Sequence, residues 1–128
     1  MATNRQQVRM LKALAHPVRL EIVDILSARE ECVCHLCAAI GKPQPYISQQ
    51  LAVLRKAGLV EDVQCGLYVY YRLKDDRVLE LRDLVRAMAG ESEEDRDLEA
   101  EKVKGSEALP GCDCPHCIEA RGSTRDRT

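Results

Sequence analysis

The densest chemistry in this 128-residue sequence is sulfur: seven cysteines, six of them in two clusters of identical spacing. Cys32, Cys34 and Cys37 form a C-x-C-x-x-C run, Cys112, Cys114 and Cys117 repeat it near the C-terminus, and Cys65 stands alone. If a helix starts near Cys34, then Cys34 and Cys37 share one face, and Cys32, on the entering chain, can fold its sulfur over the first turn. Three sulfurs then meet at a helix N-terminus, where unpaired N–H groups and the helix dipole favour thiolate over thiol. Thiolates select soft or borderline ions, and three without a fixed fourth ligand suit trivalent arsenic or antimony better than the closed tetrahedron of structural zinc. His35 is a possible fourth ligand for zinc, cadmium or lead. Next to Cys34 on a helix, however, it points roughly a quarter-turn or more away, so it is expected on the surface.

Free cysteine also packs as a small hydrophobe, yet three within six residues at one helix start point to ligation. A redox C-x-x-C is the rival reading of Cys34-His35-Leu36-Cys37 and of Cys114-Pro115-His116-Cys117. A small thiol oxidoreductase of that kind needs a strand-helix-strand unit. The sequence offers none, so no catalytic activity is expected.

The elements that must position these thiols are built almost entirely from aliphatic residues. Trp and Phe are absent, and three of the four tyrosines sit together at Tyr68, Tyr70 and Tyr71, which argues against a large aromatic-lined cavity. No run approaches the roughly 18 to 20 apolar residues of a membrane span, and the N-terminus is polar. A cytoplasmic protein without membrane contact is expected, and in a reducing cytosol the cysteines imply metal coordination or thiol sensing rather than disulfides. The net charge of -2 hides a division: residues 1–90 hold 13 Lys/Arg against 10 Asp/Glu, residues 91–128 only 6 against 11. The sequence therefore divides into a body, 1–90, and a charged, Cys-containing C-terminal tail, 91–128.

Within the body, Thr3 and Gln6 fit a capping box ahead of Val8, Leu11 and Leu14 at helical spacing. Pro17 opens a second helix whose apolar residues, Val18 to Leu26, cover most of its circumference, as in a central core helix. Leu36, Ala39 and Ile40 form a short third helix that Gly41 stops, and Ile47, Leu51 and Leu54 line a fourth from Pro45 to Ala57. Leu59 to Gln64 and Leu67 to Leu73 read as a hairpin, followed by a helix carrying Val78, Leu81, Leu84, Val85 and Met88. The fold class is mainly α with a two-stranded β-wing: a winged helix-turn-helix.

That arrangement sends one helix into the DNA major groove. Gln44, Tyr46, Ser48, Gln49 and Gln50 are expected to face DNA from the fourth helix, since Gln can pair with adenine and a helix N-terminus attracts phosphate. Arg55, Lys56 and Arg72 are the expected phosphate contacts. One small domain covers little DNA, so a homodimer is expected, with Leu11, Leu14, Leu81, Leu84 and Met88 of the first and last helices as its surface.

ECVCHLCAAIGKPQPYISQQLAVLRKAGLV, with the following YVYYRL, resembles the ArsR/SmtB family of metal-sensing winged-helix repressors, and among them the arsenite-responsive type. The resemblance spans about residues 7–90. It implies a homodimer bound to double-stranded operator DNA and released when As(III) or Sb(III) binds Cys32, Cys34 and Cys37; Cd, Pb or Zn, or reactive sulfur through thiol oxidation, are the alternative signals. Gln50 stands where many relatives carry His, and Leu67 where they carry a basic wing residue. Asp75 and Asp76 have no histidine partner on the last helix, so the zinc site of other members is not expected there. Cys112, Cys114 and Cys117 are outside the resemblance; their spacing suggests a second thiol site, while Cys65 in the wing turn has no such role.

Overall fold

Pro17 sets the frame of the structure. In the computed structural model, which describes residues 4–90, it begins α2 (Pro17–Ala28) directly after α1 (Asn4–Leu14). A proline at a helix start gives up only an N–H that has no partner inside the helix. His16 caps the same end, its Nδ1 accepting from the Val18 N–H at 3.2 Å. Thr3 of the expected capping box lies outside the described residues.

Val18, Ile22, Val23, Ile25 and Leu26 of α2 are all buried, so the apolar circumference is indeed that of a central helix. Around it pack Leu36 of α3 (Val33–Ile40) and Ile47, Leu51 and Leu54 of α4 (Gln44–Lys56). Each such side chain contributes roughly 1.5–3 kcal/mol through removal from water. Gly41 closes α3 at φ 76°, its N–H donating to the Cys37 carbonyl at 2.8 Å. The left-handed backbone costs a glycine nothing.

The sheet departs from the expected pair of strands. A two-residue β1 (Glu31–Cys32) adds to the hairpin of β2 (Val60–Cys65) and β3 (Tyr68–Leu73), in the order β1-β3-β2, all antiparallel. Glu31 pairs with Tyr71 and Cys32 with Tyr70. The hairpin turn consists of Gly66 and Leu67; positive φ at Gly66 alone is the pattern of a two-residue II′ turn. Leu67 at its tip is almost wholly exposed.

Helix α5 (Arg77–Ala89) returns across α2. Its start is set by Asp75, whose carboxylate accepts from the Arg77 backbone N–H and guanidinium. Those hydrogen bonds hold the Asp75 carboxyl well below its ordinary value, at about 2. Farther along, Arg82 and Arg86 both donate to Asp24 of α2, at 3.0 and 3.1 Å and at 2.6 Å. Val78 enters the core, but Leu84 and Met88 remain 59% and 79% exposed, as does Leu11 of α1 at 59%. Leu14, expected on the same outer surface, is instead buried with Ala13 against the core. Among the described residues no helix is long and apolar enough to cross a membrane.

Asp24 accepts from two of the arginines of α5, Arg82 and Arg86, and all three groups are largely shielded from water. Asp24→Ala is expected to destabilise the protein by about 2–4 kcal/mol because it takes a shared carboxylate away from two partly buried guanidinium groups. A change in urea-unfolding free energy below about 0.5 kcal/mol, the range of ordinary surface substitutions, would show that this clamp carries no weight.

Candidate metal centre and nucleic-acid interface

The chain leaves α2 at Ala28, forms the two-residue β1 and turns directly into α3, so three chemically active side chains meet at one junction. Cys32 is both the last residue of β1 and the N-cap of α3, with extended backbone and no side-chain cap bond. One residue into the helix comes Cys34, then His35. The Cys32 and Cys34 sulfurs and a His35 ring nitrogen lie within 4.8 Å of one another. His35 Nδ1 is 3.0 Å from Cys32 Sγ and 3.3 Å from Glu31 Oε2. Glu31, His35 and Cys32 are only 2%, 3% and 5% exposed.

Two sequence expectations change here. His35 is not a surface residue: β3 lies across β1 and the start of α3, and the imidazole is enclosed between the Glu31 carboxylate and the Cys32 sulfur. The quarter-turn that separates it from Cys34 points it inward. Cys37, one turn later, does not belong to the close group; it is half-buried and packs against the hydrophobic core. Burial pushes its thiol pKa up, against a smaller opposing effect of a backbone hydrogen bond. Cys34 is half-buried and Cys65 exposed. Cys112, Cys114 and Cys117 lie outside the described residues.

Glu31 was not singled out in the sequence, although it immediately precedes the cysteine run. Its Oε1 accepts from Arg29 Nε, while Oε2 is buried, makes no hydrogen bond and lies 3.3 Å from His35 Nδ1. A buried carboxylate oxygen left in this way is costly and is poised for a cation or a shifted N–H.

On α4, Gln44, Ser48 and Gln49 are exposed at the N-terminal half, where sequence reasoning put a DNA-reading face. Gln50 is not: it is 8% exposed, and its Oε1 accepts from Arg19 Nε at 2.9 Å, because its position on α4 faces α2 rather than outward. Tyr46 is half-buried and packs on the core. Arg55 and Lys56 are exposed, with Arg55 3.5 Å from Asp62. Arg72 pairs with Glu61 at 2.7 Å and Glu30 at 3.6 Å, contacts that raise its pKa and neutralise much of its field.

Cations absent from the sequence reading lie on the other flank of α4. Arg5, Arg9 and Lys12 repeat along one face of α1 and, with Arg19, line an open groove of about 470 Å³ that reaches Val53 of α4. Among the described residues, no acidic one lines it. The signal was available in the i, i+4, i+7 spacing of the three α1 cations.

Comparison with known proteins fixes the lineage. A family model described as bacterial regulatory protein, arsR family, matches residues 16–62. An HTH-type transcriptional regulator of Methanocaldococcus jannaschii is 40% identical over 77 residues, 59% of this chain and 86% of that protein. The chain belongs to the arsR family.

Within the family, it is 48% identical over 67 residues to the arsenical resistance operon repressor of Escherichia coli; the match covers 52% of this chain and 57% of that repressor. Among solved structures, the homodimeric winged helix-turn-helix DNA-binding domain of a possible ArsR-family regulator from Mycobacterium bovis superposes with TM-score 0.65 at 36% identity, covering 69% of this chain and 82% of that one. The repressor BigR from Xylella fastidiosa gives TM-score 0.60 at 36% identity, covering 66% and 87%.

Burial orders the reactivity of the thiols in this ArsR-family chain. In the reduced, metal-free protein, among the four cysteines of the described residues, Cys65 is expected to react with iodoacetamide first and Cys32 last, by at least about tenfold, since attack needs both thiolate and access. Peptide mapping by mass spectrometry reads the order; equal rates at Cys32 and Cys65 would contradict the closed junction.

Proposed function

We propose that this chain is a cytoplasmic, homodimeric repressor of transcription that holds operator DNA through α4 and is released when As(III) or Sb(III) binds Cys32, Cys34 and Cys37. The observation that carries the reading is the position of the C-x-C-x-x-C run at the β1–α3 junction, one helix before α4 and hydrogen-bonded through β1 to the wing. The E. coli arsenical resistance operon repressor among its relatives supports the ion class.

For DNA, the supporting features are the exposed Gln44, Ser48 and Gln49 and the positive groove beside α4. The glutamines can pair with base edges, and Arg5, Arg9, Lys12 and Arg19 supply the sequence-independent attraction to phosphate. The apolar residues left exposed on α1 and α5 are the proposed dimer surface, and the solved M. bovis relative is itself homodimeric. A dimer of this kind meets half-sites about one duplex turn, roughly 34 Å, apart.

For the metalloid, the donor set fits: Cys32 and Cys34 are already close, and Cys37 follows one turn along the same helix. Three thiolates satisfy a three-coordinate soft acceptor. Gathering them requires Cys37 to leave the core and Cys32 to give up its contact with His35. Both movements act on α3, whose eight residues are the support on which α4 rests. By linkage, any ligand that favours the moved arrangement lowers DNA affinity by the factor by which DNA lowers its own. Cys112, Cys114 and Cys117 are read as an auxiliary thiol site on their repeated spacing alone.

A gel-shift titration with operator-like duplex under reducing conditions tests this. Arsenite is expected to weaken DNA binding by roughly 5–150-fold, the usual range of allosteric coupling. Cys32→Ser, Cys34→Ser and Cys37→Ser should each bind DNA without releasing it in arsenite. Full release in all three variants would overturn the proposal.

A further inference from the structure

Most arginines of the body are already matched: Arg29, Arg55, Arg72, Arg77, Arg82 and Arg86 each lie beside a carboxylate. Arg5, Arg9, Lys12 and Arg19 instead line the groove beside α4, which no acidic side chain of the described residues lines. The opposite charge stands directly after α5, where residues 91–101, ESEEDRDLEAE, hold seven carboxylates against Arg96 alone. We propose that this acidic segment of the chain docks in the groove when DNA is absent and competes there with DNA phosphate, so that the protein carries its own polyanion as a gate on duplex binding. This rests on the role toward phosphate proposed above for the groove, and it names a second occupant.

Shape and reach agree with charge. Between its cations the groove has an apolar floor of Val8, Ala13 and Val53, and Leu98 is the one large apolar residue within the acidic segment. Arg19 is held at the α4 side of the groove, its Nε donating to Gln50 Oε1 at 2.9 Å and one terminal nitrogen to the Lys12 carbonyl at 3.4 Å. Met10 of α1 and Leu81 of α5 line one cavity of about 540 Å³, so the two helices are neighbours. Gly90, where the acidic segment begins, follows Leu81 by nine residues, about 14 Å of helix. Eleven residues span at most about 36–40 Å. That length retraces α5, passes round the roughly 10–12 Å cylinder of α1 and still lays Leu98, Glu99 and Glu101 in the groove.

Such a contact is weak pair by pair, because Arg5, Arg9 and Lys12 are exposed to solvent and exposed ion pairs gain little. Tethering makes up the difference: a segment on the same chain is present at an effective concentration in the millimolar range. A duplex displaces it through its higher charge density. The acidic segment weakens every duplex by the same factor, so only one that also gains base contacts from α4 stays bound. Non-specific DNA, which relies on phosphate attraction alone, is the class that the gate removes.

The test uses the full chain and a variant carrying E91Q, E93Q, E94Q, D95N, D97N, E99Q and E101Q. Without DNA, a zero-length carbodiimide is expected to couple Lys12 to Glu99 or Glu101 at least about fivefold more often than it couples Lys42 to them, and salt near 1 M should abolish the difference. No coupling at Lys12, or equal coupling at Lys42, overturns the docking. On a random-sequence duplex at low salt, the neutralised variant is expected to bind about three- to tenfold tighter than the parent, with a steeper loss of affinity as salt rises. The same changes placed on a background of Arg5→Gln, Arg9→Gln and Lys12→Gln separate docking from the general removal of negative charge. On that background the gain should disappear; an undiminished gain refutes the groove as the docking place. Duplex affinity that is unchanged by the three groove substitutions, with the Lys12 coupling intact, instead refutes competition with DNA and the role of the groove toward phosphate, while the docked segment stands.

Discussion

Two residues of β-strand hold the functional logic of this molecule together. Pairing of Glu31 with Tyr71 and Cys32 with Tyr70 fixes the link between α2 and α3 against β3. Through that pairing, Glu31, Cys32 and His35 are buried at the point where strand becomes helix, and the thiols acquire a mechanical connection to the wing. Without it, the cysteine run would be a loose segment whose ligation need affect nothing else. With it, a change of bonding at Cys32 acts on β3 on one side and on α3, hence α4, on the other.

The polar chemistry of the fold separates into two populations. Arg72, Arg77, Arg82 and Arg86 all sit in ion pairs with carboxylates of the body, so they serve the tertiary structure more than they attract a polyanion. The cations of α1, by contrast, line a groove next to α4 that no acidic side chain of the described residues lines. A body with a modest excess of positive charge can thus present a concentrated positive surface, because its acidic groups are spent elsewhere.

Much of this was legible in the sequence, and the rest was not for identifiable reasons. The helix periodicities of Val18 to Leu26 and of Ile47, Leu51 and Leu54, with Gly41 as a stop, reflect local rules of burial and backbone freedom, and each reappears in the structure. β1 was invisible because two residues carry no alternation; only the long-range partner β3 makes them a strand. The burial of His35 and the Glu31 contact follow from that missed strand. Gln50 is buried rather than on the exposed reading face, because helical spacing identifies a face but not what covers it, and Arg19 comes from another helix. Likewise the spacing of Cys32, Cys34 and Cys37 allows convergence without enforcing it, and the core claims the third thiol.

Hydrogen exchange on the DNA-free protein, with and without arsenite, tests most directly whether the junction transmits its state. Amides of residues 31–40 and of the β3 strand should exchange roughly tenfold faster once the thiols are drawn together, because the β1–β3 pairing and the first turn of α3 are loosened. Arsenite bound at full stoichiometry with exchange unchanged across both segments would contradict a mechanical link between these cysteines and the elements around them.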